Sequence, residues 1–432
     1  MKRLCLISLL LTGFFLSGYA QTEYGLKFSS LVSDNLTLEN AIRLGLENNS
    51  DFLTAQQEII IAEQKVSEAK FRYLPQLSLQ GTATWFDLDY PMVLSDEVAN
   101  RFIPGKMLND DDRFFGVGIT ATQYLYSGGR INGTLKLARA NLKQVQTRYE
   151  TVKNQVVLNI KRAFTQLLYA QTNTELTEQI YNKAAAWYRK NGDLWAQIQN
   201  QSLLSQLENA KDEAKRQEEK ARMEMLVSLN KELNSPLSIS GTLEPVSVNG
   251  DLPHYNLWAT EFRPELKSAI YALELDNISI DLALSKRYPD VILNASYEKL
   301  GTQNLDDVNK QVSLAIRLPL PYNFSSQIAQ KKAEQRKSEL KRAMMEDNIR
   351  TQVSLCYNNM LFWQQEALKR QQTYQELSSL FEKADRNASK AGTAPLQAAL
   401  AYLHTTQDYL FALKENHIAK AELEWAVGKD VE

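Results

Sequence analysis

Hydrophobic and polar residues alternate one by one over four short stretches of this chain, and recur every three or four positions over much longer ones. From Gln76 to Phe86, Leu77, Leu79, Gly81, Ala83 and Trp85 fall on one side, and Gln76, Ser78, Gln80, Thr82 and Thr84 on the other. In Phe115 to Tyr126, Phe115, Val117, Ile119, Ala121 and Leu125 oppose Gly116, Gly118, Thr120 and Thr122. Val312, Leu314, Ile316, Leu318 and Leu320 alternate with Ser313, Ala315 and Arg317. The run Val291 to Lys299 is less regular but keeps Asn294, Ser296 and Glu298 on one face. A period of two marks a strand whose faces meet different surroundings, which predicts strands over about 76–88, 114–126, 290–300 and 311–321.

After Ser127-Gly128-Gly129 the period changes to 3.5. Ala138, Leu142, Val145, Tyr149, Val152 and Val156 form a stripe that continues through Ile160, Ala163, Leu167 and Ala170. A second stripe joins Ile349, Val353, Cys356, Met360, Trp363 and Ala367 to Tyr374, Leu377, Phe381, Ala384 and Ala388, interrupted by Arg370. Sustained heptads specify coiled-coil packing. They predict long helices over about 130–199 and 326–391, each near 100 Å at about 1.5 Å per residue, with return helices over about 203–231 and 396–428. Gly392-Thr393-Ala394-Pro395 turns the second pair, Gly closing one helix and Pro opening the next. The first pair turns either at Asn191-Gly192-Asp193 or at Asn200-Gln201-Ser202. Lys211 to Arg222 is a mixed-charge run, read as a solvated face with i,i+4 pairs.

The whole pattern occurs twice. Ser50 to Gly81 aligns without a gap on Pro264 to Ala295, about 214 positions later, placing Ala55 on Ala269, Val66 on Ile280, Ala69 on Ala283 and Pro75 on Pro289. An internal repeat of this length decides the architecture. It divides the chain into a first repeat (21–235), a linker (236–255) and a second repeat (256–432). The Pro-, Ser- and Gly-rich segment Ser235 to Pro253, with Leu36 to Ala41, is predicted to form a belt around the helices, Thr37 serving as an N-cap.

Composition narrows the class. Met1 to Ala20 reads as a secretory signal, with Lys2 and Arg3 before an apolar core and Gly18-Tyr19-Ala20 at the cleavage site. Its removal takes away Cys5 and leaves Cys356 without a disulfide partner. A net charge of -2 gives no reason to expect nucleic acid as partner. No later stretch has the uninterrupted apolar length of a membrane helix.

An exported chain of this kind is either soluble or crosses the outer membrane as strands. A soluble sheet with one face on a core gives the same alternation; repetition of strands about ten residues long favours a transmembrane barrel. Aromatics near the strand ends, among them Trp85, Tyr90, Phe114, Tyr126, Tyr288 and Tyr322, suit interfacial girdles. The polar loops Asp87–Arg113 and Gly301–Lys310 suit exposure outside the cell; Asp110-Asp111-Asp112 lacks the alternate spacing of a calcium loop. Four strands cannot close, and unpaired edges are costly in lipid, so closure has to come from identical chains. Three copies supply twelve strands.

Short motifs then connect these elements: Leu36-Thr37-Leu38 with Ala41, Leu74-Pro75, Tyr126-Ser127-Gly128-Gly129-Arg130, Arg263-Pro264-Glu265-Leu266, Tyr288-Pro289 and Lys390-Ala391-Gly392-Thr393. Their order and duplication resemble the TolC-type outer-membrane efflux family over nearly the whole mature chain. The resemblance implies a mainly α protein with a transmembrane β-barrel: a homotrimer whose twelve-stranded barrel continues as an α-helical periplasmic tunnel. It implies docking to a periplasmic adaptor and an inner-membrane transporter, and hence a passive exit duct for small toxic compounds. A metal-efflux or type I secretion duct is the alternative within the family; a pore-free coiled-coil adhesin is the alternative of another class.

Two departures stand out. Where relatives carry paired acids after the second tip turn, this chain has Ala398 and Ala401, which leaves Glu382 and Asp385 as the nearby negative charges. The tip and gate candidates are therefore Glu382, Asp385, Ala388, Gly392, Thr393, Gln201 and Ser202. The strand–helix joins are Pro75, Gly128, Gly129, Pro289 and Pro321, the last within Pro319–Ser326, which replaces the Gly-Gly join of the first copy. No cofactor is expected. His254, His404 and His417 are isolated, with solvated or capping roles, no His or Cys pair has metal-ligand spacing, and no acid, base and nucleophile converge.

Overall fold

The computed structural model describes residues 36–85, 113–188, 194–301, 305–320, 322–385 and 394–431. The expected signal segment, Asp110–Asp112, Pro321, Ala388, Gly392 and Thr393 lie outside them.

Two short helices open the first half, α1 (Leu38–Asn48) and α2 (Ser50–Phe71). The Thr37 hydroxyl accepts from Asn40 N at the start of α1, and the Asn49 side chain accepts from Phe52 N at 3.0 Å at the start of α2. These caps satisfy amides that a helix start leaves without partners. Strands β1 (Gln76–Trp85) and β2 (Arg113–Tyr126) follow, then the long α3 (Arg130–Trp187) and its return α4 (Leu194–Ser228). The second half runs α5 (Leu252–Phe262), α6 (Pro264–Ser285), β3 (Asp290–Gly301), β4 (Asp307–Arg317), α7 (Phe324–Asp385) and α8 (Ala394–Val427). Helices α1 and α5 both have 11 residues, and α2 and α6 both have 22. Thr37 and Asp251, the caps of α1 and α5, stand at equivalent places, so the duplication reaches further upstream than the aligned residues show.

Several boundaries differ from expectation. The long helix of the first half ends at Trp187, not near 199, and its return begins at Leu194. The residues 200–202 are therefore helical, and Gln201 and Ser202 do not form the turn. Asn200 is buried there with its Oδ1 unpaired, which is a cost, so apolar neighbours such as Leu207 and not this side chain hold the helix. The linker is shorter than 236–255, because Asp251 accepts from His254 N at 3.2 Å and starts α5 within it. The charged face of α4 pairs mainly at i,i+3, Glu213 with Arg216 and Glu219 with Arg222.

All four strands form one antiparallel sheet in the order β1-β2-β3-β4. The helices carry the buried cores. One core joins Leu36, Ile160, Phe164, Leu167, Met225, Leu229 and Ile239; a second joins Tyr255, Leu266, Ile349, Val353, Met360, Leu423 and Val427. The heptad residues Ile160, Leu167, Val353, Met360 and Ala367 are fully buried. The extended segment between the halves is held on both sides. Leu36 N donates to Ser238 O and Ser240 N to Leu36 O, at 2.9 and 3.1 Å. On the other side Asn416, 0% exposed, accepts from Val246 N at 2.7 Å and donates to Val246 O at 3.0 Å.

Candidate functional site

The sheet sorts its side chains by register. One face carries the rows Leu77–Ala121–Ala295–Val312 and Leu79–Ile119–Tyr297–Lys310, followed by Gly81–Val117–Lys299–Val308. The other carries Gln76–Thr122–Asn294–Ser313, Ser78–Thr120–Ser296–Gln311 and Gln80–Gly118–Glu298–Asn309. Leu77 is 75% exposed and Val312 76%, so the apolar face has no core of its own within the chain. The outer edges of β1 and β4 pair with no described strand. On the polar face, Gly116 and Gly118 make room for neighbours: a Cβ on Gly118 would come within 2.7 Å of Glu298 Cγ. Asn309 Nδ2 donates to Glu298 Oε2 at 3.4 Å on that same face.

Where sheet becomes helix, the structure brings together three of the predicted join residues. Gly128 (φ 59°) and Gly129 (φ 84°) adopt left-handed backbone, in which an L side chain is strained. Gly128 also lies against Tyr288, which precedes Pro289; a Cβ there would meet Tyr288 Cβ at 2.6 Å. Immediately beyond, the Arg130 guanidinium forms an ion pair with the buried Asp290 carboxylate. Pro75 lies across an open cleft of about 930 Å³, whose walls include Ser127, Arg130, Leu282, Lys286 and Asp290.

At the far end of the helices, Ile180, Ala184, Leu207, Phe381, Leu396, Ala399, Tyr402 and Leu403 form a separate core. A ladder of rings runs through it: Trp187 to Phe381 at 5.3 Å, Phe381 to Tyr402 at 4.3 Å, Tyr402 to Tyr374 at 6.1 Å and Tyr374 to Tyr409 at 5.0 Å between centroids. Burial first, and the neighbouring Tyr402 second, push the Tyr374 hydroxyl well above its ordinary pKa, so it stays neutral. Of the tip candidates, Glu382 is exposed on α7 and Asp385 is the last residue of that helix. Gln201 has a definite role, accepting a hydrogen bond at 2.9 Å from the Tyr188 hydroxyl just after α3. Ser202 is exposed one residue on, and Ala398 and Ala401 are exposed on α8. Composition did not single out the exposed cluster Leu194, Trp195 and Ile198 at the start of α4, although its apolar i,i+1,i+4 spacing was readable.

Polar groups between the two ends serve cohesion. Lys161 bridges Glu424 at 2.7 Å and Asp430 at 3.3 Å; burial disfavours its charge, but these acids outweigh it and raise the pKa. Arg263, 3% exposed, donates to Ala426 O, Gln352 and Glu265 and lies 4.6 Å from the centroid of the Trp425 ring. His417 is not a solvated histidine: its Nε2 contacts Glu244 O at 2.8 Å, and burial lowers its pKa. Burial raises the Cys356 thiol to about 11, in keeping with a packed hydrophobe. Among the described residues, no group of three or more His, Cys, Asp or Glu is placed to hold a metal. No helix among them is long and apolar enough to cross a membrane, which leaves a β-barrel unaddressed.

Comparison with known proteins shows what these features resemble. Residues 41–191 match the outer membrane efflux protein family. No curated protein sequence matches the chain. Among solved structures, the chain is similar to CusC, described for conformational changes accompanying folding and transmembrane channel formation, with a TM-score of 0.73, 15% identity, and coverage of 91% of this chain and 92% of that one. It is similar to the open state of the MtrE outer membrane channel of Neisseria gonorrhoeae, with a TM-score of 0.73, 14% identity and coverage of 91% and 89%. VceC, an outer membrane protein of Vibrio cholerae, gives a TM-score of 0.71 at 14% identity, covering 91% and 97%. The family signature thus lies in the first half of the chain, and the fold shared with these outer membrane channels extends over 91% of its length.

Proposed function

We propose that three copies of this chain form the exit duct of a tripartite efflux pump. In this assembly β4 of each protomer pairs with β1 of the next, giving a twelve-stranded barrel with its apolar rows toward lipid and its hydroxyl and amide rows toward water. The long helices continue the barrel as a periplasmic tunnel, which an adaptor joins to an inner-membrane transporter. Export is passive within the duct, with energy and selectivity supplied by the transporter, and the cargo is small toxic compounds. The observation that carries this reading is the open sheet: apolar side chains more than 60% exposed, such as Leu77, Val312 and Ile316, beside two strand edges without a partner among the described residues. In water such a surface would aggregate, and in hydrocarbon its edges need partners.

The tip core is the proposed gate. Glu382 and Asp385 lie on the last turn of α7, Ala388, Gly392 and Thr393 follow them in sequence, and opening would separate these ends between protomers. The experiment is reconstitution of the purified protein in planar bilayers, with mass measurement of the extracted oligomer. Discrete conductance steps from a trimer support the duct. A folded membrane-extracted monomer without conductance would sink it and favour the pore-free adhesin. Cysteine crosslinks between protomers at positions 385 and 388 should abolish both conductance and drug resistance of the host cell.

A further inference from the structure

On β3 and β4 two lysines interrupt the apolar face of the sheet near its outer end, with Val308 beyond Lys310. Along β4 and the residues just after it, alternate positions run Leu320, Leu318, Ile316, Leu314 and Val312 before Lys310; on β3 they run Val291, Leu293, Ala295 and Tyr297 before Lys299. Ten residues separate Leu320 from Lys310, about 33 Å along a strand and about 25 Å along the membrane normal at a tilt near 40°. That is the height of the lipid-facing band of a transmembrane barrel. The lysines therefore stand at its outer rim, where a lipid-facing charge costs little, and not at mid-depth, where it is expensive.

Lys310 stands opposite Tyr297 and Lys299 opposite Val308, so the two ammonium groups are diagonal neighbours on one face. Diagonal side chains of this kind lie about 7 Å apart. Neither forms an ion pair among the described residues, and both are exposed. Of the nearby acids, Glu298 and Asp307 belong to the opposite face, and Asp306, which continues the register on the lysines' own face, forms no ion pair with either of them. Tyr297 stands between the two lysines, its ring 5.9 Å from Lys310 Nζ. Two like charges side by side at a lipid boundary call for an anion.

We propose that Lys299, Lys310 and Tyr297 bind a phosphate group on the headgroup of an outer-leaflet lipid, the two ammonium groups pairing with the phosphate oxygens and the Tyr297 hydroxyl donating to them. This rests on the barrel reading above, which places this face in lipid. The full-length protein is reconstituted in vesicles of zwitterionic phospholipid containing a phosphorylated glycolipid (lipid A), its dephosphorylated form, or neither with inorganic phosphate added. Bound lipid is counted by native mass spectrometry, and the melting temperature of the oligomer is recorded. Retention and a raised melting temperature are expected with the phosphorylated lipid alone. Lys299→Gln with Lys310→Gln should weaken retention roughly thirty-fold, at about fivefold per lysine near an anionic surface. The Lys→Arg pair should keep it, and so provides the comparison if the Gln pair folds poorly. Equal retention by the Gln pair, equal binding of the dephosphorylated lipid, or saturation by inorganic phosphate overturns the site while leaving the barrel intact. Failure of the protein to float with the vesicles overturns the barrel reading and the site together.

Discussion

The two halves of the chain reach the same backbone by different chemistry. At the entry to α2 in the first half and to α6 in the second, the preceding residue has nearly the same conformation, φ -71° and ψ 123° at Asn49, φ -60° and ψ 118° at Arg263. Asn49 solves the helix start locally, by accepting from Phe52 N. Arg263 makes no cap; Pro264 removes one amide from the problem, and the Arg263 side chain instead reaches Ala426 O, Gln352 and Glu265. The joins show the same divergence. The first half turns through Gly128-Gly129 in left-handed backbone, whereas the second passes through Pro319-Leu320. Duplication conserved shape here, while the means of holding it drifted toward a local device in one copy and a tertiary one in the other.

This contrast is open to direct attack. The largest effect is expected from Gly128→Val, which puts a branched side chain at positive φ and drives its Cβ into Tyr288; a loss above about 4 kcal/mol should abolish oligomer yield. Leu318→Val, just before the Pro319–Ser326 join of the second half, should leave that yield unchanged. Arg263→Ala should lower stability by about 3 kcal/mol, because it strands the Ala426 carbonyl and the Glu265 carboxylate. This is measured as the thermal midpoint of helical circular dichroism in detergent. Arg263→Asn sharpens the comparison: if the second half accepts a local cap, most of that stability returns, and if tertiary bonding matters it does not. Asn49→Ala should cost only about 1 kcal/mol. The smallest effect concerns His417. Its pKa is lowered in the fold, so its contribution is complete above the ordinary histidine value near 6.5 and is lost as pH falls below it. Hydrogen exchange around Glu244 to Val248 should quicken on acidification in the wild type and become pH-independent in His417→Phe.

Much of this was legible because it depends on period and spacing. The alternation at Leu77, Leu79, Val117, Ile119, Val312 and Leu314 reports a sheet with two unlike faces, and the stripe through Val353, Met360 and Ala367 reports buried helix. The turn at the end of α3 was ambiguous because Asn200-Gln201-Ser202 has turn-like composition; the packing of Leu203 and Leu207 in the tip core and the bond from Tyr188 to Gln201 favour helix. Helix α5 was hidden by Pro253, which reads as a breaker yet sits in the first turn, where its missing amide does no harm. Burial of Arg263 and His417 was invisible for another reason. Their partners, Ala426 and Glu244, are distant backbone carbonyls, and a carbonyl has no sequence signature.

The contact between Arg130 and Asp290 has a mechanical meaning. Arg130 begins the longest rod of one half and Asp290 begins a stave of the other, so a single buried charge pair rivets shaft to staves across the duplicated units. In the proposed duct, a twist of α3 would pass through this pair to β3, a strand contributed by the opposite half.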